Sequence, residues 1–167
     1  HPWYFKGKFH DQSHNLPRWQ IIWLKETFLK FKKKFKINKN IYIDRSESKF
    51  SHCQIINHLE LKKYLKKKKF KIVKLASQSF VKQIYMFWNA NCIIGAHGAA
   101  LTNLVFSKPK TKVIELKPFG HRGKNYQRIS KVNNLHYYSI GSEKKYLKNK
   151  NGDIFVDFKK LDRKINL

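Results

Sequence analysis

Acidic side chains are scarce in this sequence. Only 10 of its 167 residues are Asp or Glu, against 37 Lys or Arg, for a formal charge of +27 with histidine neutral. Such an excess repels itself and attracts polyanions, so nucleic acid, anionic lipid surfaces and phosphorylated substrates are the candidate partner classes. No DxD-type acidic pair is left to hold a divalent ion, and no metal site is expected. Cysteine is scarcer still. Cys53 and Cys92 are the only two, in neither a CxxC nor a Cys/His spacing, which argues against structural zinc and against a disulfide framework. That usage leans the compartment toward the cytoplasm. No apolar run approaches the length of a membrane span, no signal peptide is visible, and no internal repeat is found.

What the chain has in quantity is apolar and aromatic surface. A hydrophobic content of 41% and an aromatic content of 15% mark a globular protein. Its length suits one domain with a real core and is too short for two full-sized ones. It begins at His1 rather than Met, so it reads as a fragment or a processed product. Runs rich in Lys, Asn and Ile fit an AT-rich coding sequence as well as a selected basic surface, so charge alone chooses no function.

The patterning divides the chain into three segments. Residues 1-40 read as an irregular aromatic arm punctuated by Pro2 and Pro17, then a helix in "RWQIIWLKETFLKFKKKF". Residues 41-140 alternate strands and helices. The strands are Ile41–Ile43, Phe70–Leu75, Cys92–Gly95, Lys112–Leu116 and Leu135–Ile140. Helices are expected from Asn57, as N-cap with Leu59, Leu61 and Leu65 inward, and from Ser79 with Val81, Ile84, Tyr85 and Trp88 on one side. Two more are expected near Ala99 and over "NYQRISKVNN". Alternation with short connections specifies an α/β, Rossmann-like parallel sheet with helices on both faces. Residues 141-167 form a basic extension whose end, "IFVDFKKLDRKINL", suits a further strand and helix.

One stretch breaks the lysine-rich texture. "CIIGAHGAALTNLVF" (Cys92 to Phe106) is a buried strand, a small-residue turn around His97 and a helix start. In such a sheet ligands settle outside the carboxyl ends of the strands. Gly95 and Gly98 permit close backbone approach, and the free N–H groups of a helix start suit a phosphate. Thr102 and Asn103 can add hydroxyl and amide bonds. The pattern is neither GxGxxG nor a Walker loop. A lone His in a tight turn is commonly a packed, hydrogen-bonded structural residue.

The wider block "ANCIIGAHGAALTNLVFSKPKTKVIEL" closely resembles the signature of glycosyltransferase family 61. There an apolar strand runs into His-Gly-Ala-(Gly/Ala)-Leu-(Thr/Ala)-Asn, then a proline-containing loop and a Val-Ile-Glu-Leu strand. "IYIDRS", "IIN" before a helix, "FKIVKL" with "SFVKQIYMFWNAN", and "LPRWQIIWLKETFL" resemble further family segments, so the likeness runs from about Pro17 to Tyr138. Three departures stand out. An Arg usual before the Ile-Asn-Glu turn is missing from "SKFSHCQIIN", with His52 nearest; His58 replaces the Glu after Asn; and Ala100 stands where Gly is common.

The resemblance implies an inverting, metal-independent transferase, either hexosyl or pentosyl, that uses a nucleotide-sugar, taken as a UDP-sugar, and no cofactor. It implies a GT-B architecture, of which this chain looks like the carboxyl-terminal, donor-binding half. Carried over position by position, His97 is the catalytic candidate, touching the diphosphate or the transferred sugar. Arg45 would pair with the diphosphate, Gly98 and Ala99 would offer N–H groups, Thr102 and Asn103 would fix the turn or the ligand, and Glu115 would accept from ribose hydroxyls. Lys117 and Arg122 are weaker phosphate candidates. Inversion needs a base facing the acceptor, and His10, Asp11 and His14 are the local choices. The acceptor is a glycan or polysaccharide, a peripheral contact with anionic membrane is allowed for, and nucleic acid is not expected. Bacterial members would act at the cytoplasmic membrane face, eukaryotic ones in the secretory pathway. The rival readings are a basic module binding nucleic acid or another polyanion, and an inactive fragment.

Overall fold

Among the described residues five short strands, all parallel, form one sheet. The computed structural model describes residues 17–31, 39–46, 52–143 and 152–167. Strands β1 (Asn40–Ile43), β2 (Lys71–Val73), β3 (Cys92–Ala96), β4 (Lys112–Lys117) and β5 (His136–Gly141) lie in the order β2-β1-β3-β4-β5. Helices α1 (Arg18–Phe28), α2 (His58–Lys67), α3 (Phe80–Asn89), α4 (Asn125–Val132) and α5 (Phe158–Asn166) cover the sheet, with 3-10 stretches at Leu75–Ser77 and Ala99–Phe106. The Rossmann-like α/β fold expected from the alternation is what the chain adopts.

The order decides where a ligand can enter. From β1 the chain steps outward to β2, then returns past β1 to build β3, β4 and β5 on its other side. The connections leaving β1 and β3 therefore diverge, and a crevice opens between the carboxyl ends of those two strands.

Side-chain alternation along the strands divides the core in two. Ile41, Ile43, Ile93 and Val113 face one layer, packed with Ile21 of α1, Ile84 and Phe87 of α3, Leu101 and Leu104 of the 3-10 stretch, and Ile129 of α4. Tyr42, Ile94, Ala96, Ile114 and Leu116 face the other, against Leu61 and Leu65 of α2 and Leu161 of α5. Thus α1 from the leading segment and α5 from the closing one both pack on the central sheet. Phe28, Phe80 and Phe106 meet edge to face, tying α1 to α3 and to the 3-10 stretch.

Several local expectations change in detail. Ser79 does cap α3, accepting from the Lys82 N–H, and Asp157 caps α5 through the Lys159 and Lys160 N–H groups. Asn57 precedes α2 without capping it. Its side-chain amide instead makes two 3.0 Å bonds to the Val156 backbone, donating to the carbonyl and accepting from the N–H. Leu59 points outward, 68% exposed, because the Leu61 and Leu65 stripe takes the inner face. The strand expected over Phe70–Leu75 is confined to β2. Val81 and Trp88 are only half-buried, since consecutive residues Ile84 to Phe87 carry the burial of α3. Ile154 makes one bridge to Ile55 rather than a sixth strand.

Candidate active site

The chain after β1 and the turn after β3 meet across the crevice. Arg45 follows β1, and its Nη1 donates to the carbonyl of His97. A Cβ on residue 98 would fall 2.7 Å from the Arg45 Cζ, so Gly98 is the residue that lets the guanidinium lie against the turn. Gly95 serves packing too. A Cβ there would come within 3.1 Å of Leu101 Cδ2 and 3.5 Å of Ile43 Cδ1. The His97 N–H donates to the Leu116 carbonyl at 2.8 Å, which moors the turn to β4.

Beyond the turn the helix expected near Ala99 forms as a 3-10 helix over Ala99–Phe106. The Leu101 N–H already bonds the Gly98 carbonyl at 3.0 Å, so the N–H groups of Ala99 and Ala100 have no intrahelical acceptor. Ala99 is exposed. Leu101, Leu104, Val105 and Phe106 of this segment are all buried and anchor the turn to the core.

The imidazole of His97 is held from below. Its Nδ1 lies 2.6 Å from Oε1 of Glu115, which β4 carries into the same layer at 1% exposure. Oε2 of Glu115 accepts from the Tyr137 hydroxyl and lies 3.6 Å from Lys117 Nζ. Burial, then the Glu115 charge, push the Tyr137 phenol well above its ordinary range, so it remains a proton donor. The His97 ring packs against His121, with centroids 3.8 Å apart, and against Tyr126 at 5.3 Å. Burial, with Glu115 behind it, lifts Tyr126 to about 12, and Thr102 hydrogen-bonds its phenol.

Arg45, His97, Gly98 and Ala99 are therefore brought together at the crevice. Asn103 donates to the Ala100 carbonyl at 3.3 Å and to Gln83 Oε1 at 3.2 Å, which fixes the turn. Thr102 is exposed beside Tyr126. Glu115, expected to accept from ribose hydroxyls, is buried, and its oxygens meet His97 and Tyr137. Lys117 is similarly engaged, 12% exposed and donating to the Gly123 carbonyl at 2.8 Å. Arg122 is exposed. His58 lines a cleft of about 220 Å³ with Asp44, Arg45, Ser46 and Gln54. His10, Asp11 and His14 lie outside the described residues.

Sequence reasoning passed over His121, Tyr126 and Tyr137. The first two had a usable signal, because they sit in the loop and helix that come after a strand's carboxyl end. Tyr137 had none, since its approach to Glu115 depends on β5 lying next to β4 in one particular register. Among the described residues no three His, Cys, Asp or Glu side chains converge to hold a metal, and no helix is long and apolar enough to cross a membrane.

The family model for Glycosyltransferase 61 matches residues 8–114. The match takes in Arg45, His97, Gly98, Ala99, Thr102 and Asn103, and stops one residue short of Glu115. The chain is 37% identical over 65 residues to the β-1,2-xylosyltransferase RCN11 of Oryza sativa subsp. japonica, a stretch covering 39% of this chain and 12% of that protein. It is 33% identical over 66 residues to a β-1,2-xylosyltransferase of Arabidopsis thaliana, covering 40% and 12%. The matched stretch thus spans about an eighth of each relative.

Proposed function

Because the chain belongs to glycosyltransferase family 61, we propose that it holds a nucleotide-sugar donor at the crevice between β1 and β3, as one part of an inverting, metal-independent enzyme. The observation that carries this reading is the meeting of Arg45 with the His97–Gly98–Ala99 turn, beside an imidazole braced by a buried carboxylate. Arg45 and the Ala99 and Ala100 N–H groups would receive the diphosphate, and His97 the diphosphate or the transferred sugar. In a single displacement a base takes the acceptor's proton, its oxygen bonds the anomeric carbon, and the diphosphate leaves with the electron pair of the broken C–O bond. Fixed donors stabilise that leaving charge without reorganising. The base is assigned to the part of the enzyme facing this edge of the sheet.

The named relatives are xylosyltransferases of two plants, so a pentose, carried as UDP-xylose, is the first donor to test, with a glycan hydroxyl as acceptor. Plant relatives favour the secretory pathway and lend no support to the bacterial, cytoplasmic alternative. Cysteine scarcity is therefore set aside as a guide to compartment.

A second surface keeps polyanion binding in view. Lys39, Lys69, Lys71, Lys110 and Lys131 are exposed at or just before the starts of the strands, on the edge opposite the crevice. Contact with anionic membrane, if made, belongs there. The two readings separate in a thermal-shift titration with UDP, UDP-xylose, GDP, CDP and pyrophosphate, run at low and at about 150 mM salt. A salt-resistant shift selective for one nucleotide, with the shift by its sugar conjugate reduced in His97→Ala, is the expected result. Equal, salt-sensitive shifts with every polyanion, untouched by the substitution, overturn the donor site.

A further inference from the structure

We infer that the Tyr137–Glu115–His97 chain makes His97 an acceptor for a sugar hydroxyl rather than a donor to phosphate, with Tyr137 as the positioning residue. The inference rests on the glycosyltransferase reading for the identity of the ligand, though not for the state of the ring.

A carboxylate only accepts hydrogen bonds, so the 2.6 Å contact from Glu115 to His97 makes Nδ1 the protonated nitrogen of the ring. In the neutral imidazole Nε2 then carries a lone pair. Among the described residues Nε2 has no hydrogen-bond partner, and the side chain is 17% exposed, so the ring meets the crevice with an acceptor. A phosphate oxygen has nothing to offer that atom. A sugar hydroxyl does.

Other groups crowd the ring and its carboxylate. Arg45 lies on the His97 carbonyl, the His121 ring lies tilted by 45° with its centroid 3.8 Å from that of His97, and Lys117 stands 3.6 Å from Glu115 Oε2. The carboxylate is thus shared between Lys117 and Tyr137 as well as His97. Phosphate recognition falls to Arg45 and to the turn's N–H groups. Tyr137 contributes by occupying Oε2, which leaves Oε1 as the oxygen facing His97 and fixes the carboxylate's rotation. Second partners of this kind set tautomer and ring orientation. Register explains why Tyr137 can do so. Tyr137 pairs with Val113 and Ser139 with Glu115, so Tyr137 and Glu115 are diagonal neighbours on one face.

The test labels histidine with ¹⁵N and reads the His97 tautomer near neutral pH in wild type, Tyr137→Phe and Glu115→Gln. Wild type should show Nδ1 protonated and Nε2 bare, and both variants should shift toward the other tautomer. An imidazolium, or an Nε2–H ring, in wild type overturns the inference; an unchanged tautomer in Tyr137→Phe removes Tyr137 from it. UDP and UDP-xylose affinities are measured alongside. If the hydroxyl belongs to the donor, Tyr137→Phe loses roughly tenfold for UDP-xylose and nothing for UDP. If it belongs to the acceptor, both affinities hold and kcat of the complete enzyme falls at constant KM. Equal loss for UDP and UDP-xylose places His97 on phosphate and refutes the assignment. Should wild type bind neither nucleotide, the sugar-hydroxyl assignment falls with the donor reading, while the tautomer still decides the positioning role.

Discussion

Gly98→Ala should cost more than a methyl group usually does, and the cost should depend on Arg45. The new Cβ would lie 2.7 Å from the Arg45 Cζ. Arginine is flexible, so its guanidinium would swing away instead of enduring the clash. The expense is then the abandoned bond to the His97 carbonyl. For a half-exposed guanidinium that is about 1.5 kcal/mol, the low end for a charge-assisted bond. A φ of +157° is one that L side chains rarely adopt, which adds about 1 kcal/mol. Urea unfolding followed by tryptophan fluorescence should show a loss of roughly 2 to 3 kcal/mol, or about 5 to 10 °C in Tm for a chain of this size. The decisive comparison is the same substitution in an Arg45→Ala background, where only the backbone strain, about 1 kcal/mol, should remain. If Gly98→Ala costs the same in both backgrounds, within about 0.5 kcal/mol, the two residues are not coupled and this account of the glycine is wrong.

The packing sets three further outcomes. Asn57→Ala strips two bonds from the buried Val156 backbone; unfolding should become easier by about 2 to 4 kcal/mol, with faster amide exchange at Val156, and a neutral effect would contradict the bridge. Leu61→Ala, at a fully buried site, should cost about 2 to 5 kcal/mol, while Leu59→Ala, 68% exposed, should stay within about 0.5 kcal/mol; similar costs would mean α2 is rotated. Asp44 is pushed up by burial, but the bonds from Lys62 and Ser46 outweigh that and hold its carboxyl below the ordinary carboxylate range. Its contribution to stability is therefore complete above the unfolded carboxylate range and disappears as pH falls through the lowered folded value. Asp44→Asn should flatten the acid side of the stability profile, and an unchanged acid limb would rule the Lys62 pair out as its source.

The site itself was partly legible in one dimension. Arg45 and the His97 turn stand at the carboxyl ends of two strands, and parallel topology brings such ends to one edge whatever the rest of the chain does. The roles of the glycines were not legible. Small residues in a turn were expected to clear a path for a polyanion. Gly98 also clears a path for Arg45, a residue 53 positions away, and Gly95 makes room for Leu101 and Ile43. Asn57 shows the same limit. It has the type and place of a helix cap, yet spends its amide on Val156, because a partner from the far end of the chain wins over one from the next turn.

By itself the sequence determined the element types, their order, the two-sided parallel sheet and the family signature around His97. Those properties are written in short-range periodicity and in motifs whose parts are neighbours along the chain. Only the tertiary structure decided that β3 returns to the far side of β1, that Glu115 is sealed beneath His97, and that Tyr137 completes the chain to it. The physical reason is burial. A carboxylate at a strand end is a solvated group until helices on one face close over it, and only then must each oxygen find a donor.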